Sequence, residues 1–79
     1  MHTQWLPLSL LPVGQKAQVT NLLSRDDERR RILDLGLIQG TEVEALQQSP
    51  SGDPTAYFIR GTVIALRKCD AGKVLVAIS

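Results

Sequence analysis

Few side chains in this 79-residue chain can act as nucleophiles, acid/base catalysts or metal ligands: one histidine, one cysteine and eight carboxylates. Catalysis of that kind needs two or three groups converging in a cleft. His2 stands at the start of the chain and Cys69 near its end, with no second histidine to activate the thiol. No enzymatic activity is expected. Cys69 lies in the run Arg67-Lys68-Cys69-Asp70, where cations favour a thiolate, yet a turn cysteine without a chemical role is the simpler reading. The same residues show none of the clustered spacings of zinc or non-haem iron sites, so no metal and no other cofactor is expected.

Phosphate and nucleic-acid chemistry fare little better. Neither a Walker A nor a G-x-G-x-x-G pattern is present, and the glycines Gly36 and Gly40 read as turn formers. Arg29-Arg30-Arg31 is a basic run, but residues 25–34 hold four arginines against Asp26, Asp27, Glu28 and Asp34. The segment nets zero and reads as a solvated helix face with internal pairing. Further on, Arg60, Arg67, Lys68 and Lys73 outweigh Asp70. That stretch carries no aromatic platform for stacking bases, so it suits an acidic protein surface better than nucleic acid.

The elements that must position these groups fit one domain. Leu, Ile, Val and Phe make 24 of the 79 residues and the net charge is +1, which separates the chain from disordered compositions. A single cysteine precludes an internal disulfide, and a secreted domain this small usually needs such staples. A cytoplasmic location is expected. No segment reaches the roughly 20 apolar residues of a membrane span, so direct membrane insertion is not expected. Residues 1–7, interrupted by Pro7, are expected to be a mobile or loosely packed lead-in.

Leu8 to Gly14 suits a short helical turn, and Gln15 to Asn21 alternates as a strand with Ala17 and Val19 inward. Ser24 to Gly36 reads as the one good helix. Ser24 is its N-cap, acids fill its first turn, and Gly36 takes the left-handed position after its last. Leu37 then folds back on Ile32, and Asp26/Arg30, Asp27/Arg31 and Arg30/Asp34 stand at i, i+4. Strands follow at Thr41 to Gln48, Ala56 to Ile59, Thr62 to Arg67 and Lys73 to Ile78. Arg60-Gly61 is a two-residue hairpin turn, and turns are expected over Ser49 to Thr55 and Cys69 to Gly72. These elements predict a mainly β fold, a small SH3-like barrel of about five antiparallel strands with one short helix. The candidate core holds Leu33, Leu35, Val43, Ile64, Leu66, Val74 and Val76.

The order of the glycines carries a resemblance. Gly14 to Val19 reads G-Q-K-A-Q-V, Leu33 to Gly40 reads LDLGLIQG with Val43 beyond, then come Gly52-Asp53-Pro54, Gly61, Ile64-Ala65-Leu66-Arg67 and Asp70-Ala71. Over about Leu8 to Ile78 this resembles the FeoA family, the small ferrous iron transport protein A. Gln39 departs from it, where the family commonly has proline. A glutamine still fits a type II turn with Gly40 in its third position.

The resemblance implies a non-enzymatic SH3-like barrel. It implies a cytosolic accessory of FeoB, a membrane transporter with a GTP-binding domain that moves Fe(II) inward. The family's relatives include the C-terminal SH3-like domain of diphtheria-toxin-repressor-type metal regulators, so a freestanding regulatory module is the alternative. Self-association stays open. Positions whose type the fold alone does not explain are the candidates for a partner surface: Leu37 and Ile38 after the helix, Asp53-Pro54 in the loop, and Arg67.

Overall fold

A computed structural model describes residues 4–78. The chain forms β1 (Gln4–Pro7), a 3-10 turn (Leu8–Leu10), β2 (Lys16–Leu22), α1 (Asp26–Asp34), β3 (Glu42–Gln48), β4 (Thr55–Ile59), β5 (Thr62–Leu66), a single helical turn α2 (Lys68–Ala71) and β6 (Val74–Ile78). All the pairings are antiparallel, and the sheet runs β1-β6-β2-β3-β4-β5. Six strands therefore stand where about five were expected. The extra one is β1, the second half of the expected lead-in, held by pairing Trp5 with Ala77 and Leu6 with Val76. Four residues ending in proline carry little strand signal of their own; the pairing with β6 is what makes them a strand. Residues 1–3, which include His2, lie outside the described residues.

Alternation decides which face of each strand meets the core. Ala17 and Val19 of β2, Val43 and Ala45 of β3, Tyr57 and Ile59 of β4, and Val74 and Val76 of β6 are all buried. Register breaks between Val19 and Asn21 and between Ala45 and Gln47 insert one residue each and curl the sheet around that core. Leu8 and Leu11 close one end, and the Tyr57 hydroxyl donates to the Leu8 carbonyl at 3.3 Å. Burial raises the Tyr57 phenol above its ordinary value. Of the expected core, Val43, Leu66, Val74 and Val76 are buried, while Leu33, Leu35 and Ile64 are half-buried. Within the helix itself only Ile32 is fully enclosed.

The ends of α1 differ from each other in how well local chemistry explains them. At the C-terminus, Gly36 has φ 96°, its N–H reaches the Leu33 carbonyl at 2.9 Å, and the Leu37 N–H reaches the Ile32 carbonyl at 3.3 Å. This is the Schellman arrangement, and Ile32 and Leu37 are both enclosed in the core beneath it. A Cβ on Gly36 would also sit 3.2 Å from Arg60 Cδ. At the N-terminus the expected cap fails. Arg25 occupies the cap position without a side-chain bond, and Asp26 enters the helix at φ 54°. Ser24 is buried and its hydroxyl has no hydrogen-bond partner among the described residues.

Candidate functional site

The five candidate partner residues fall on two regions, and the structure separates what each can do. Leu37 and Ile38 follow the glycine cap. Leu37 is completely buried, so it serves the core and cannot be a docking residue; the Schellman turn rolls it onto Ile32. Ile38 points the other way and is 44% exposed. It borders a hollow of about 220 Å³ with Leu22, Leu33 and Arg29. The turn carrying it is pinned to β2: the Gly40 N–H donates to the Val19 carbonyl, and the Val19 N–H to the Thr41 carbonyl. The Thr41 N–H closes on the Ile38 carbonyl at 2.9 Å with Gly40 at φ 90°, the type II geometry that glycine in the third position permits. Gln39 is tolerated within it.

Asp53, Pro54 and Arg67 meet at the open end of the β4–β5 hairpin. The loop from Ser49 is closed by its own bonds, Gly52 N–H to the Ser49 carbonyl at 2.8 Å and Ser49 N–H to the Pro54 carbonyl at 3.1 Å. The Asp53–Pro54 peptide is cis. Asp53 Oδ1 accepts the Lys68 N–H at 2.8 Å. Its carboxylate thus satisfies an amide at the start of α2 that no intrahelical carbonyl can reach. Asp53 has a structural task that its place in a polar loop concealed. Arg67 occupies the cap position of α2 and is exposed, as is Pro54.

Charge on α1 is organised across elements, not along the helix. Among the described residues the ion pairs are Arg31 with Asp70 of α2, at 2.7 Å, and Glu28 with Lys73 just before β6. The expected i, i+4 pairs do not form. The Lys73 ammonium holds the Glu28 carboxyl below the usual carboxylate range, and Glu28 in turn raises Lys73.

Cys69 is exposed on α2. Among the described residues no three His, Cys, Asp or Glu side chains gather closely enough to hold a metal ion, and no helix is long and apolar enough to cross a membrane. Several exposed apolar side chains were not singled out from the sequence, Phe58 at 42% and Val63 at 60% among them. Alternation within Thr62–Leu66 was the signal that could have placed Val63 outward.

With this geometry in hand, the comparisons with known proteins agree. The model of the FeoA domain matches residues 6–78. A fusion protein of Porphyromonas gingivalis joining Fe(2+) transport protein A to the Fe(2+) transporter FeoB is 34% identical over 67 residues, 85% of this chain. The chain spans only 8% of that protein's length. The solution structure of a FeoA-like protein from Clostridium acetobutylicum superposes with a TM-score of 0.89 at 32% identity, covering 99% of this chain and 90% of that one. Stenotrophomonas maltophilia FeoA, an SH3 domain protein crystallised with zinc, gives 0.77 at 31% identity over 96% and 89% of the two chains. A manganese-dependent transcriptional repressor shares the fold alone, at 14% identity and a TM-score of 0.85, over 100% of this chain and 44% of its own. The architecture is SH3-like.

Proposed function

The chain belongs to the FeoA domain family, and from that premise we propose that it is a non-enzymatic accessory of ferrous iron uptake that works by contact with a FeoB-type transporter on the cytosolic side. The observation that carries this reading is the fusion in P. gingivalis, where a segment 34% identical to this chain shares one polypeptide with the transporter FeoB. Fusion holds two modules at high effective concentration. Contact between the two modules then runs through a surface of this fold.

Ile38, Pro54 and Arg67 are exposed and available for that surface, while Leu37 is not. The likeness to the manganese-dependent repressor is one of fold, so the regulatory-module alternative has no observation of its own behind it. Fe(II) uptake in cells lacking the native protein tests the proposal. Wild-type protein is expected to restore uptake, and Arg67→Glu to restore it less while remaining folded, since an exposed charge change costs less than about 0.5 kcal/mol. Uptake that is unchanged by deletion of the protein contradicts the proposal.

A further inference from the structure

The two free edges of the sheet are unequal. The edge formed by β1 is four residues long and ends in Pro7, both of which discourage a further strand. The edge formed by β5 has neither guard. Thr62–Leu66 reads TVIAL, rich in strand-forming types and without Lys, Pro or a bulge, and among the described residues no strand lies beyond it.

The register identifies the backbone groups this edge offers. Ile59 pairs with Thr62 across the two-residue turn Arg60-Gly61, whose φ values are 51° and 82°. Such a turn makes the flanking pair the hydrogen-bonded one. Bonded and non-bonded pairs then alternate, so Tyr57–Ile64 and Thr55–Leu66 are bonded. The N–H and C=O groups of Val63 and Ala65 therefore point away from β4 into solvent.

Side chains along the same line are apolar. Val63 is 60% exposed and lies opposite Phe58, 42% exposed. Ala65 lies opposite Ala56 and, with it and Pro54, lines an open apolar hollow of about 200 Å³. These two alanines leave room for a large apolar side chain reaching in from a neighbouring strand.

Charge selects the occupant. Arg60 stands at one end of the strand and Arg67 and Lys68 at the other, and none of the three forms an ion pair among the described residues. At the second end the Asp53 carboxylate, bound to the Lys68 N–H, offsets only one of the two cations Arg67 and Lys68, which leaves that end positive. Glu42 and Glu44 of β3 line one hollow with Arg60 and Phe58, so carboxylates already face Arg60 and the uncompensated cations are at the second end. In the register that overlaps both strands fully, Val63 with Ala65 of a second copy, Arg60 faces that copy's Lys68, and like charges across a strand pair repel. We infer that the β5 edge receives an extended partner segment by strand addition, one with an apolar centre and carboxylates on the flank that meets Arg67 and Lys68. This rests on the edge alone and holds whether or not the partner is the transporter.

The probe is the capped peptide Glu-Glu-Thr-Val-Leu-Val-Thr-Glu-Glu, followed by amide hydrogen exchange and chemical-shift mapping on the full chain. In free protein the Val63 and Ala65 amides are expected to exchange fast. Saturating peptide is expected to slow both by about tenfold or more, as for amides newly placed in a ladder. A peptide with lysines in place of the glutamates should bind at least about tenfold more weakly, with the gap narrowing at high salt. N-methylation of alternate residues should abolish binding in one phase and spare it in the other, because only one set of amides faces β5. The double variant Arg67→Glu/Lys68→Glu should reverse the preference between the two peptides; the N-methyl series leaves the protein unaltered and decides the matter if that variant does not fold. Shifts confined to another surface, equal binding of both peptides, or protection of Val63 and Ala65 that grows with protein concentration and no peptide would overturn the proposal, the last by making a second copy the occupant.

Discussion

Replacing Asp53 distinguishes a loop carboxylate that waits for a partner from one that holds the fold. A polar loop residue with no other role is expected to change stability by no more than about 0.5 kcal/mol. The structure requires more. Asp53 Oδ1 accepts the Lys68 N–H at 2.8 Å, and these two residues flank the β4–β5 hairpin just beyond its last pair, Thr55 with Leu66. Removing the acceptor leaves the first amide of α2 without a protein partner and unfastens the open end of the hairpin. Loss of a side-chain cap costs about 0.5 to 2 kcal/mol, typically about 1. For a domain of this size 1 kcal/mol lowers the melting temperature by roughly 4 to 8 °C. Asp53→Ala should show that decrease in urea and thermal unfolding. Asp53→Asn keeps a carbonyl oxygen at the same place and should recover most of it. Asp34→Ala, an exposed acid at the end of α1 outside the ion pairs, is the control. Equal stability of Asp53→Ala and Asp34→Ala would refute the reasoning. Any loss of partner binding in Asp53→Ala must therefore be read beside Asp53→Asn, which removes the charge while keeping the cap.

Other substitutions test the remaining assignments. Leu37→Ala empties a fully enclosed core position and should cost about 2 to 5 kcal/mol, whereas Ile38→Asp next to it should cost less than about 1.5 kcal/mol by urea denaturation, since nearly half of the side chain already faces water. Ser24→Ala should leave stability unchanged or slightly higher, because the buried hydroxyl has no partner to lose; a loss of about 1 kcal/mol would restore Ser24 as the helix cap. The Glu28 carboxyl is held below its ordinary range by Lys73, so its contribution is complete above the ordinary glutamate pKa and disappears as pH falls through the lowered folded value. Any stability advantage of wild type over Glu28→Gln in urea should shrink between pH 7 and 3.

The sequence was most legible where structure is local. Period-two alternation located β2, β3 and β6, the Arg60-Gly61 pair located the β4–β5 hairpin, and Gly36 followed by Leu37 located the Schellman ending, because each depends on residues within a few positions. Features that depend on distant partners were not legible. Gln4–Pro7 becomes a strand through β6, and Asp53 becomes a cap through an amide fifteen residues away. Arg31 and Glu28 find partners at Asp70 and Lys73 in preference to helix neighbours. Ser24 has the composition of a cap, but its burial and the left-handed Asp26 move the helix start beyond its reach. Among the candidate partner residues, adjacent leucine and isoleucine could not be told apart until the turn sent Leu37 inward and Ile38 outward.

Contact with the transporter is the central claim, and co-purification tests it most directly. Tagged protein is recovered from the membrane fraction of cells with and without the FeoB-type transporter gene, using wild type and Ile38→Asp/Arg67→Glu. Wild-type protein should be retained on membranes only when the transporter is present, and the folded double variant should be retained less. Equal retention with and without the transporter, or none in either case, would contradict the account.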